Sequence, residues 1–132
     1  YQALKTGVVD GAENNWPSYE SSNHFEVAGY YSATQHLIIP ECLCVSVKAW
    51  DKLSADDQKA VRAAAVESAE LQRKLWAERS EKSRAAVEKA GIKFNPIADK
   101  SAFQNAMTPV YESAYKSNPA LKSLVEKIRS VD

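Results

Sequence analysis

Between Lys5 and Lys48 the chain contains no lysine and no arginine, although Asp10, Glu13, Glu20, Glu26 and Glu41 all fall in that stretch. A segment built this way supplies no cation of its own, so an anion bound there must find its positive partner elsewhere. Long apolar runs are missing too. The aliphatic run Leu37-Ile38-Ile39 stops at Pro40, and nothing approaches the roughly 18 to 20 residues of a membrane-spanning helix. No excess of positive charge exists: 17 Lys and Arg face 17 Asp and Glu, which argues against a nucleic-acid partner. The chain opens on Tyr1 with no signal peptide in view, so its compartment is not legible from its start.

Reaction motifs are also scarce. There is no G-x-S-x-G, no H-E-x-x-H and no phosphate-binding loop, so no residue pattern points to a serine hydrolase, a zinc protease or a Walker-type nucleotide enzyme. Glu13 and Glu41 could form a glycosidase-like carboxylate pair, but residues so far apart in the chain can lie anywhere relative to each other. Cysteine is limited to Cys42 and Cys44. A bridge between them would close a very tight ring against demanding disulfide geometry. Their plain reading is as two small buried apolar residues; a metal site with His36 is the sharper one, with no second Cys/His pair at ligand spacing to support it.

What is present concentrates near the start. Gly7-Val8-Val9-Asp10-Gly11-Ala12-Glu13-Asn14-Asn15-Trp16-Pro17 sets a carboxylate, two amides and an indole side by side just after a glycine turn. A carboxylate accepts hydrogen bonds and an amide both donates and accepts, which suits a polyhydroxylated or carboxylated small molecule. The competing reading is an ordinary turn, in which Asn side chains bond to nearby backbone. Trp16 and Tyr19 could stack on the apolar face of a sugar or simply pack at a helix start. His36, ahead of the apolar run, and Glu41, after Pro40, are pocket candidates whose default roles are structural. His24 reads as surface.

Periodicity organises the rest. Tyr1 to Lys5 reads as the last turn of a helix with Gly7 as its C′ residue. A short helix is expected from Pro17 to about Asn23, with Asn15 or Trp16 near its cap. Tyr30 to Thr34 and Leu43 to Val47, rich in aromatic and β-branched residues, read as strands, joined by a crossover or strand continuation from His36 to Glu41. Ser54 is a cap and Asp56 and Asp57 suit the positive end of a helix dipole. From Ala55 to Ala90 there is no Gly and no Pro; helix formers dominate, Glu70–Lys74 and Glu78–Lys82 make favourable pairs, and Gly91 stops the helix. Ile92 to Asn95 reads as a short strand. Asp99 to Lys116, kinked or broken at Pro109, and Asn118 to Arg129, with Pro119 at N1, read as terminal helices. The long helix, about 54 Å at 1.5 Å per residue, exceeds the roughly 36 Å diameter of a compact globule of this length. It must bend or break, or lie across more protein than this chain contains.

The residues resemble a family. Ala3-Leu4-Lys5-Thr6-Gly7-Val8-Val9-Asp10-Gly11-Ala12-Glu13-Asn14 resembles the A-L-x-T-G-V-V-D-G-x-E-N stretch of DctP-type substrate-binding proteins of TRAP transporters. Phe25-Glu26-Val27 is similar to the family's F-x-E-V piece, Thr34-Gln35-His36 to its T-x-H, and Ser46 to Leu53 followed by Ser54 to the S-x-x-x-W-x-x-L-[SP] lead into its long helix. Asn14-Asn15-Trp16-Pro17 is similar to members that bind sugar acids such as uronates.

The resemblance implies an α/β fold: the C-terminal portion of a two-domain, type II-like periplasmic binding protein. That portion would be helix-rich, with residues 1–53 carrying strand and hinge segments, 54–90 a long helix crossing between domains, and 91–132 a short strand and terminal helices. It implies a periplasmic protein, not an enzyme, that needs no cofactor, closes on a small organic acid and hands it to the membrane permease. Asn14 would contact the ligand beside Glu13, His36 would belong to the polar network around the pocket, and Asn15, Trp16 and Glu41 would complete it. The family's carboxylate-clamping arginine lies upstream, in an N-terminal half this chain would need as a partner. A helix-rich interaction module built on residues 55–90, without a small-molecule ligand, is the alternative, and an enzyme acting through Glu13 a third.

Overall fold

The computed structural model describes residues 1–131, which cluster into two compact units divided after Asn95. The first unit begins with α1 (Gln2–Lys5). Gly7 sits at φ +71°, its N–H reaches the Leu4 carbonyl at 3.3 Å, and the Val8 N–H reaches the Ala3 carbonyl at 2.9 Å. That pair of bonds is a Schellman stop, and it needs the left-handed conformation glycine adopts without a Cβ penalty. After a loop comes α2 (Trp16–Ser21), capped by Asn15, whose side-chain oxygen accepts the Ser18 N–H, with Pro17 in its first turn. A 3₁₀ turn (His24–Glu26) leads to β1 (Tyr30–Ala33).

A short α3 (Val47–Trp50), capped by Ser46, precedes α4 (Ala55–Lys89), a single unbroken helix of 35 residues capped by Ser54 with Asp56 and Asp57 in its first turn. Its length is about 52 Å. It ends as α1 does. Gly91 lies at φ +97°, and the Gly91 and Ile92 N–H groups return to the Glu88 and Val87 carbonyls at 3.0 and 3.3 Å. The chain then forms β2 (Lys93–Pro96), which pairs with β1 in a two-stranded sheet. Lys93 meets Tyr30 and Asn95 meets Ser32, so the registers advance together and the strands run parallel. Parallel pairing requires a long crossover, and α4 lies within it.

The core of this unit lies where α2 packs on the C-terminal part of α4. Tyr19, Pro17, Ser83 and Val87 are buried. Ser83 satisfies its hydroxyl by donating to the Arg79 carbonyl at 2.9 Å, and Arg79 in turn pairs with Glu20 of α2. The i,i+4 ion pair formed on α4 among the described residues is Arg84–Glu88, at 2.8 Å, rather than the expected Glu70–Lys74 and Glu78–Lys82. The rest of α4 presents Val61, Val66, Leu71, Leu75 and Trp76 to solvent.

Leu43 to Val47 does not form the expected strand: residues 35–46 have no regular structure and Val47 opens α3. Ile38, Leu43 and Val47 are exposed. Aromatic and β-branched residues favour a strand only on a pleated, half-buried surface beside a partner, and the described residues provide none here. Cys42 and Cys44 are likewise exposed, not buried. His24, read as surface, is half-buried.

The second unit contains α5 (Ser101–Ala106), α6 (Thr108–Ser117) and α7 (Ala120–Arg129). The helix expected from Asp99 to Lys116 is two helices, because Pro109 lacks an N–H and is tolerated only in a first turn. Asp99 Oδ1 accepts the Ser101 N–H at 2.8 Å, a bond that holds its carboxyl below the usual carboxylate range. The Arg129 guanidinium lies 4.7 Å from the Tyr111 ring centre.

Candidate functional site

Glu13, Asn14 and Asn15 occupy the loop into α2. Asn14 Oδ1 accepts the Asn15 N–H at 3.0 Å, and Asn15 Oδ1 accepts the Ser18 N–H at 2.9 Å. Both amides thus have an oxygen committed to local backbone, as a turn reading anticipates. The site nevertheless extends beyond the turn, because β1 is drawn to it. Tyr31 donates its hydroxyl to the Asn14 backbone carbonyl at 2.9 Å, which ties the loop to the sheet.

Trp16 is half-buried in an aromatic cluster. Its ring stacks on Tyr31 with centroids 3.6 Å apart and planes 17° from parallel, and Phe94 of β2 lies tilted against it at 5.6 Å. Tyr19 approaches Tyr31 at 5.2 Å and donates its hydroxyl to the Ala28 carbonyl. The Arg84 guanidinium of α4 sits 4.7 Å from the Phe94 centroid and 5.7 Å from that of Trp16, an arrangement attractive to the rings' negative faces. Tyr31, Phe94 and Arg84 are thus site residues that the chain pattern does not single out. Local periodicity places Tyr31 and Phe94 on strands, and only the parallel pairing brings them to Trp16.

Electrostatics follow from this geometry. Burial raises the Tyr31 phenol above its ordinary value, and the nearby Glu13 carboxylate raises it further. Burial likewise raises Tyr19, with Tyr31 adding to it. Tyr31 therefore remains a protonated donor toward Asn14. The Arg84 guanidinium is raised by its bond to Glu88.

His36 approaches Glu13 from the segment that follows β1. Its Nε2 lies 3.9 Å from Glu13 Oε2, and its Nδ1 lies 2.7 Å from Thr34 Oγ1. Glu13 and His36 remain largely exposed, with side-chain exposures of 70% and 50%. Glu13, Asn14, Asn15, Trp16 and His36 thus form one connected surface. Glu41 lies in the exposed irregular segment after Pro40. The metal alternative gathers no support: no three His, Cys, Asp or Glu side chains converge among the described residues. A separate open groove of about 470 Å³, lined by Trp50, Gln58, Arg62 and Val66 among others, shares no residue with this surface.

This surface presents the Glu13 carboxylate, the Asn14 and Asn15 amides and the stacked rings of Trp16 and Tyr31 together. The chain belongs to the DctP family of bacterial extracellular solute-binding proteins, family 7, whose pattern matches residues 1–118. A solute-binding protein of Chromohalobacter salexigens is 54% identical over 129 residues, which is 98% of this chain and 38% of that relative. The fold closely matches a TRAP periplasmic solute-binding protein from Roseobacter denitrificans solved with bound β-D-glucuronate: TM-score 0.92, 61% identity, 100% of this chain and 44% of that one. It also matches one from a Sulfitobacter species with bound β-D-galacturonate, at TM-score 0.87 and 59% identity over 95% of this chain and 42% of that one. The chain therefore spans about two fifths of the length of these relatives, and its fold is part of a two-domain solute-binding fold.

Proposed function

We propose that this chain is the C-terminal portion of the solute-binding component of a TRAP transporter that captures a uronate in the periplasm and delivers it to the membrane permease. The observation that carries this reading is the likeness, at 61% identity over the full chain, to a protein solved with bound glucuronate. Asn14 and Glu13 are the ligand contacts, with His36 in their polar surround. Asn15 and Trp16 build the platform, Asn15 as the cap of α2 and Trp16 through its stack on Tyr31. Glu41 is the least connected member and reaches the ligand only as a hydroxyl acceptor from its loop. The role is binding and release, with closure by hinge motion and no bond made or broken.

The ligand's carboxylate needs a cation, and an arginine is the side chain whose fork matches it. None lies between Lys5 and Lys48, and Arg79 and Arg84 are engaged by Glu20 and Glu88. The resemblance to DctP-type proteins implies a clamping arginine upstream of the Ala3–Gly7 segment, and we assign the clamp to that N-terminal half of the same protein.

Thermal-shift and calorimetric titration of the full-length protein with D-glucuronate, D-galacturonate, D-gluconate and succinate tests this. Stabilisation by the uronates is expected. Stabilisation by succinate alone would move the ligand class to dicarboxylates, and a response to none of them would sink the proposal.

A further inference from the structure

Thr34 and His36 are two residues apart, and in a fully extended strand their side chains would stand roughly 7 Å apart along one face. They meet at 2.7 Å instead. The reason is Gln35, a non-glycine residue held at φ +48°. That left-handed conformation is uncommon and costs energy, and such positions cluster at functional sites. The kink folds the imidazole back onto the Thr34 hydroxyl. It also turns the other ring nitrogen toward Glu13, at 3.9 Å.

We propose that Thr34 and His36 are positioning residues for Glu13: the Thr34 hydroxyl fixes the ring through Nδ1, and Nε2–H steers the Glu13 carboxylate beside Asn14. The inference rests on reading Glu13 and Asn14 as ligand contacts. A hydroxyl donating to Nδ1 leaves the proton on Nε2, the nitrogen that faces Glu13. The order hydroxyl, imidazole, carboxylate is that of a hydrolase triad, but in a solute-binding family it orients an acceptor.

The test is calorimetric titration of the full-length protein with D-glucuronate, for wild type, Thr34→Val, Thr34→Ser, His36→Gln, Glu13→Gln and the Thr34→Val/Glu13→Gln double variant. Nitrogen NMR of the ligand-free histidine ring accompanies it. Thr34→Val should bind about 3- to 10-fold more weakly, the effect of one hydrogen bond, and should show a mixture of ring tautomers where wild type shows Nε2–H. Thr34→Ser should restore both. His36→Gln should bind at least as weakly as Thr34→Val, and the effects of Thr34→Val and Glu13→Gln should fail to add. A Thr34→Val protein with wild-type affinity and tautomer overturns the proposal, as does strict additivity. A wild type that does not bind D-glucuronate overturns the functional reading instead, and the tautomer comparison still decides whether Thr34 governs the ring.

Discussion

Tyr31 grips the candidate site at two points: its ring lies 3.6 Å from that of Trp16, and its hydroxyl donates to the Asn14 carbonyl at 2.9 Å. One side chain of β1 therefore holds both the aromatic platform of α2 and the amide ahead of it. Removing only the oxygen separates these roles. Tyr31→Phe should keep the stack and cost about 1 kcal/mol of stability, while weakening uronate binding several-fold because Asn14 is no longer tethered. Tyr31→Ala should cost about 3 kcal/mol. Thermal melts and calorimetry on the full-length protein distinguish the two, and equal losses from both variants would show that the stack carries nothing.

The tyrosines also set an alkaline limit. The folded Tyr19 and Tyr31 phenols lie above the ordinary value of 10.0, chiefly through burial. The unfolded chain releases these protons first, so their contribution is fully present below pH 10 and lost as pH rises through the folded values. The melting temperature should fall between pH 9.5 and 11, and Tyr31→Phe should make that fall shallower. An unchanged slope in the variant would remove Tyr31 from the account.

Arg84 is predicted to matter for stability more than for ligand charge. Its guanidinium faces Trp16 and Phe94 while its Nε bonds Glu88. Arg84→Ala should lower the melting temperature through loss of the cation–π contacts. Arg84→Met should recover part of this by covering the rings. A melt unaffected by either substitution would count against the contact.

Asn15 offers a clean division between fold and ligand. As the cap of α2, Asn15→Ala should cost about 1 kcal/mol, and Asn15→Asp should retain the cap. If Asn15→Asp melts normally yet binds glucuronate more weakly, its amide touches the ligand as well. If binding is untouched, the residue is a cap alone.

Features governed by neighbours in the chain could be read in advance. Ser54 and Gly91 bound α4 because a cap and a left-handed stop act within a few residues, and Asn15 and Pro17 begin α2 for the same reason. Glu13 and Asn14 were recognisable through a motif. Features that depend on distant partners were not. Leu43 to Val47 has strand-like side chains but no partner strand among the described residues, and Cys42 and Cys44 are apolar enough to bury but lie exposed there. Tyr31 and Arg84 reach the site through strand pairing and helix docking that no local pattern contains. Pro109 was visible as a break, although its power to start a new helix rather than bend an old one became clear only in α6.

The parallel pairing of β1 with β2 has a kinetic consequence. The two strands are neighbours in space but about 60 residues apart in the chain, so bringing them together from a flexible coil carries a closure entropy of about 3–4 kcal/mol plus a constant. A helix as long as α4 replaces most of that floppy connection with a rigid strut whose far end already carries Ser83 and Val87 into the α2 interface. Zipping of the sheet should therefore follow docking of α2 on α4, with β2 among the last elements to gain exchange protection as this portion folds.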